Sequence, residues 1–245
     1  MSANGLKRSR MAALVGQVPP RLVYYGLLLL AGVLLFAPAN FLPPLNPSTP
    51  ILAACEYTAL CASSRTPWGV VTSIFMFDGW DNVGVFVELA AVFMVSNFVF
   101  SPQETRRRCS FAVASMYVSG IVPNALFLAL RPGVQFFGPS GVIYGFLGVT
   151  LALSIFNIFP PGLRRGGGIT LTAYYQNMRN FGLAVLNLFV FVSLFGFLVV
   201  NTSLFLGAGP NVDVFAHGLG FLLGLASGYL YWYLTQVRRW RVTTA

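Results

Sequence analysis

The sequence predicts an all-α membrane protein, a bundle of six spanning helices, and three observations lead there. Hydrophobic residues make up 56% of the 245 residues and charged ones only 9%, whereas a soluble domain carries about 25% charged residues. Apolar runs of the length needed to cross a bilayer, about 20 residues, recur along the chain. The 15 lysines and arginines sit in short clusters between those runs. The net charge of +9 therefore reads as positive-inside topology, because the bases never gather into one extended patch. The partner this implies is the lipid bilayer, with no nucleic acid.

The elements follow in order. Residues 1–20 are polar and basic and form a disordered cytoplasmic tail. The membrane domain covers 21–236, and 237–245 is a second short cytoplasmic tail. The first span runs from about 21 to 42. It is read as a retained helix and not a cleaved signal, since no convincing cleavage site follows it. A loop at 43–67 is broken by Pro43, Pro44, Pro47 and Pro50, and 68–77 approaches the membrane. The second span is placed at 80–100, followed by a polar loop from Ser101 to Arg108. The third is at 110–130, the fourth at 139–158, the fifth at 181–201 and the sixth at 213–235.

Counting bases tests this layout. With the N-terminus inside, Lys7, Arg8, Arg10, Arg21, Arg106, Arg107, Arg108, Arg164, Arg165, Arg179, Arg238, Arg239 and Arg241 are cytoplasmic, and only Arg65 and Arg131 fall outside. The expectation is a multi-pass protein of the cell membrane with both termini cytoplasmic.

Cysteine usage gives little chemistry. Cys55 and Cys61 are close enough for a local bridge if their loop faces an oxidising side; two free thiols are the equal alternative. A single histidine, His217, leaves no metal-ligand spacing, so neither a metal nor a cofactor is expected.

The polar groups inside the apolar runs carry the functional signal. Ser140 opens the fourth span, and Gly141, Gly145 and Gly148 put a bare face on that helix. Gly220 and Gly224 lie on the same face as His217 in the sixth. Small-residue faces let helix backbones approach closely. Both helices enter from the outer side, so Ser140 and His217 share a depth. A serine needs a base to take its proton, and histidine is the usual one near neutral pH. Tyr144, one turn below Ser140, is placed to pack on the imidazole. Asp213 is either the N-cap of the sixth helix or a third polar partner. Each residue also has a plain reading, Ser140 as small packing and Tyr144 as core; an intramembrane histidine is harder to dismiss, because polar groups there are costly.

The stretch Gly138-Pro139-Ser140-Gly141-Val142-Ile143-Tyr144-Gly145 resembles the GxSGxxxG signature of the rhomboid intramembrane serine proteases. Ala216-His217-Gly218-Leu219-Gly220 with Gly224 is similar to that family's histidine helix. Trp68 to Phe75 resembles its Trp-Arg-x-x-Thr-x-x-Phe approach to the second helix, with Gly69 in the arginine's place. The resemblance covers about residues 20–240 and implies a six-helix rhomboid-like bundle. It implies a serine endopeptidase that cleaves single-span membrane protein substrates near the outer face. Ser140 then matches the nucleophile, His217 the general base, Tyr144 the residue stacked on it, and Gly138 the loop beside the oxyanion. Gly141, Gly145, Gly220 and Gly224 match helix-contact positions.

One departure stands out. The family's second helix usually carries His-x-x-x-Asn to help hold the oxyanion. An ungapped match puts Asn82 and Phe86 there, and a two-residue slip puts Gly84 and Glu88 there. Asn82 is the expected substitute donor. The departure keeps open an alternative, a weak or inactive rhomboid-like pseudoprotease that binds membrane clients. A transporter is disfavoured, since Glu88 is the one acidic residue placed well inside a span.

Overall fold

The computed structural model describes residues 61–75, 80–97, 102–131, 133, 138–158, 178–200 and 214–243. Among them the regular structure is helical throughout: α1 Gly69–Thr72, a 3₁₀ turn Ser73–Phe75, α2 Trp80–Asn97, α3 Pro102–Leu130, α4 Ser140–Ile158, α5 Met178–Val200 and α6 Val214–Thr243. The predicted first span and the tail at 1–20 lie outside the described residues.

Among the described residues three helical stretches are long and apolar enough to cross a membrane: Gln103–Leu130, Ser140–Ile158 and Asn180–Val200. Gly84–Asn97 is a shorter apolar helix. α6 is long, and His217, Ser227 and the run Tyr229 to Tyr233 lie among its apolar residues. Broad apolar exposure on α5, including Phe181, Leu188, Phe189 and Phe195, fits a face turned to lipid. The described residues are thus those of an all-helical, membrane-embedded protein.

The sequence reading placed a loop over Ser101 to Arg108, and there the structure differs: α3 is already helical from Pro102. Proline at the first helical position gives up only an N–H that has no partner there anyway. Glu104 in the first turn complements the helix dipole and meets Arg108 one turn on at 3.1 Å. Polarity at this end reflects length. At 29 residues α3 is about 43 Å long, more than a hydrocarbon core of about 30 Å. α6 likewise continues beyond residue 236, through Thr243.

α4 is the central helix, buried at every residue from Gly141 to Ser154. Its glycines explain how. A Cβ on Gly220 would meet the Gly141 carbonyl oxygen, one on Gly224 the Gly145 carbonyl oxygen, and one on Gly228 the Val149 backbone. The pairs 141 with 220, 145 with 224 and 149 with 228 are each 79 positions apart, so α4 and α6 run parallel in fixed register. Gly145 also faces the Ser119 side chain of α3, and Gly120 of α3 faces Val142. With little hydrophobic drive between helices in lipid, close backbone contact of this kind holds them together.

At the far end of α4 a polar clasp joins five helices. Arg108 donates to Asn157 at 2.7 Å and to Asn97 at 3.4 Å. Asn157 donates to Asn187 of α5 at 2.9 Å. Tyr231 of α6 donates to Glu104 at 3.2 Å. Buried polar groups must be paired, and here each pairing crosses between helices.

Candidate active site

Ser140 begins α4 and His217 is the fourth residue of α6. In the 79-position register His217 lies level with residue 138, two residues from Ser140 along the shared axis. The parallel glycine packing therefore sets both side chains at one end of the bundle, opposite the polar clasp. Both line a single cavity of about 320 Å³. His217 is buried and Ser140 half-buried.

Among the described residues four helices contribute to the wall. α4 supplies Ser140, Ile143, Tyr144 and Leu147 on one face, and α6 supplies His217. From α2 come Val85, Glu88, Leu89 and Val92, at helical spacing, and from α5 Ser193, Leu194 and Phe197. The Tyr144 and His217 rings are 4.4 Å apart between centroids and 31° from parallel. That contact limits the imidazole to a narrow set of orientations.

The loop before Ser140 is fixed by backbone. Gly138 has φ +121°, a conformation that essentially only glycine adopts, and its N–H donates to the Ser73 carbonyl at 3.1 Å. Gly138 thus ties the serine loop to the 3₁₀ turn, and its amide is already engaged. The donors left at this end are those of the helix start. Ile143 N–H donates to the Pro139 carbonyl at 2.9 Å, so the N–H groups of Ser140, Gly141 and Val142 precede the first N–H that donates within the helix. Aimed at a carbonyl on Ser140, such donors stabilise a developing oxyanion.

Other expected residues fall as follows. Gly141, Gly145, Gly220 and Gly224 make the α4–α6 contact and lie behind the cavity. Asn82 is in the first turns of α2, three residues before Val85, and its side chain lies outside the described residues, as does Asp213. Phe86 is buried and packs its ring 6.0 Å from that of Phe146, off the cavity wall. Gly84 is absent from the wall, whereas Glu88 is part of it. Cys61 is disulfide-bonded and Cys109 is free, and Cys55 lies outside the described residues. A Cβ on Gly69 would meet the Cys61 carbonyl.

Sequence reasoning missed the contribution of α5 and the choice of face on α2. Ser193 was a legible signal, a hydroxyl in an otherwise apolar run. The face of α2 was not legible, because its apolar residues are spread around the helix.

Comparison with protein-family models, with curated proteins and with solved structures found no match.

Proposed function

We propose that this chain is an intramembrane serine protease of rhomboid type, a six-span protein of the cell membrane with both termini cytoplasmic. The observation that carries the reading is the common cavity of Ser140 and His217, with Tyr144 against the imidazole. The disulfide at Cys61 supports an outer, oxidising location for the loop before α1, and hence for the Ser140 end of α4.

The reaction is acyl transfer. A client helix unwinds near its outer end and presents a carbonyl to Ser140. His217 takes the hydroxyl proton as Ser140 Oγ bonds the carbonyl carbon. The oxyanion that forms faces the N–H groups of Ser140 and Gly141. Collapse breaks the C–N bond, and His217 returns the proton to the leaving amine. Water then attacks the ester, with His217 again as base, and frees Ser140.

The test is cleavage of a single-span substrate by purified protein in vesicles, beside Ser140→Ala and His217→Ala. Loss of cleavage in both variants supports the reading; equal cleavage by either removes it. Asn82→Ala decides the status of Asn82: a fall of about 10²–10³ in rate marks an oxyanion donor, and an unchanged rate takes it out of the site.

One observation favours the second reading, a client-binding pseudoprotease. Where the described part of α2 meets the cavity it offers Glu88 and apolar groups, and a carboxylate opposes an oxyanion. That reading predicts substrate capture in vesicles with no cleavage by any variant.

A further inference from the structure

Among the described residues Glu88 is the one charged residue in the cavity wall, and it stands exposed at the middle of α2. It has no hydrogen-bond or ion-pair partner among the described residues; the salt bridge found there joins Glu104 and Arg108 at the other end of the bundle. A carboxylate midway along an apolar helix is costly and tends to mark a functional position. Snorkelling to an interface needs a long side chain near a helix end, and Glu88 has neither.

The surroundings define what the carboxylate can receive. On α2 it is flanked by Val85, Leu89 and Val92, and across the cavity stand Leu194 and Phe197 of α5. The other polar side chains among the described lining residues are Ser140, Tyr144, Ser193 and His217. A largely apolar wall that carries one acid complements a side chain with an aliphatic stem and a cationic head, which is the form of lysine and arginine. The opening is of a size that takes such a chain, about 320 Å³. A proton-conducting path needs a succession of ionisable groups through the span. Glu104, the one other acid on these helices whose side chain is described, is held in the clasp by Arg108 and Tyr231; the Asp81 side chain of α2 lies outside the described residues.

We infer that the cavity recognises a client transmembrane segment carrying a basic residue within its apolar stretch, and that Glu88 is the residue that receives it. The inference rests on the proposed function in taking a membrane segment as the client. It names the client's chemistry, and it requires no cleavage. In a protease Glu88 sets which bond is presented to Ser140; in a pseudoprotease it sets which client is held.

The test reads binding in the full-length Ser140→Ala protein, which forms no acyl-enzyme. The probe is a synthetic Leu-Ala single-span peptide bearing one Lys and a photo-crosslinker, against the same peptide with Met for Lys, both in phosphatidylcholine vesicles. The expected result is roughly tenfold stronger capture of the Lys peptide, abolished by adding Glu88→Gln. Glu88→Lys paired with a Glu peptide restores capture. Unchanged helical content and thermal midpoint of Glu88→Gln show that it folds. Equal capture of the Lys and Met peptides by protein with Glu88 intact overturns the inference, and so does undiminished preference in Glu88→Gln.

Parallel cleavage assays with Ser140 intact separate the two claims. Charge-selective capture without cleavage keeps the inference and ends the protease reading. Cleavage without charge preference does the reverse.

Discussion

Tyr144 lies against His217 with ring centroids 4.4 Å apart and planes 31° from parallel, and this contact spans the two helices that carry the candidate dyad. An aromatic pair of this kind is worth about 0.5–1.5 kcal/mol beyond the area it buries. Tyr144→Ala should therefore lower turnover about three- to tenfold by freeing the imidazole, while Tyr144→Phe keeps the ring and most of the rate. Initial rates on one substrate in the same vesicles check this. If Phe is as damaging as Ala, the hydroxyl matters and the stacking account fails.

Glycine packing predicts a contrast between positions that look alike in sequence. Gly224→Ala drives a methyl into the Gly145 carbonyl, whereas a Cβ at Gly182 or Gly196 of α5 meets nothing within 4 Å. The first should destabilise by about 1–3 kcal/mol. The other two should be neutral or stabilising by up to about 1 kcal/mol, since alanine is the better helix former. Reversible unfolding in mixed micelles gives the values, and equal losses at all three positions would contradict the register described.

Gly138 is predicted to be intolerant for a different reason. Its φ of +121° makes Gly138→Ala cost about 1–3 kcal/mol of backbone strain, although no atom lies within 4 Å of the added Cβ. The variant should lose both thermal stability and turnover, because the loop it tethers to Ser73 leads directly into Ser140. Retained activity with an unchanged thermal midpoint would show that the loop relaxes freely.

The polar clasp should be structural and independent of the cavity. Asn157→Ala removes the acceptor of Arg108 and the donor to Asn187, and an orphaned buried partner costs about 1–3 kcal/mol. The expected outcome is a lower thermal midpoint with serine labelling retained below it. Loss of labelling at temperatures where the variant is folded would tie the clasp to the site.

The parts of this account legible in the chain were those that depend on one helix at a time. The spacing of Gly141, Gly145 and Gly148, and of His217, Gly220 and Gly224, pointed to two helices that pack closely and to the residues they bring together. The start of α3 was misread because Arg106 to Arg108 look like a loop, although Pro102 and Glu104 were start signals. What stayed hidden depends on how separate helices turn toward each other. Asn97, Arg108, Asn157 and Asn187 are visible as polar residues, but nothing local says that they meet. In the same way Glu88 stands out as an acid in a span, while its place beside Ser140 and His217 needs the fold.

The central claim is an activated serine at residue 140, and fluorophosphonate labelling in membranes tests it most directly. The account predicts a covalent adduct on the peptide containing Ser140, found by mass spectrometry and absent from Ser140→Ala and from folded His217→Ala. A folded protein whose Ser140 stays unlabelled, or labels equally well without His217, would contradict it.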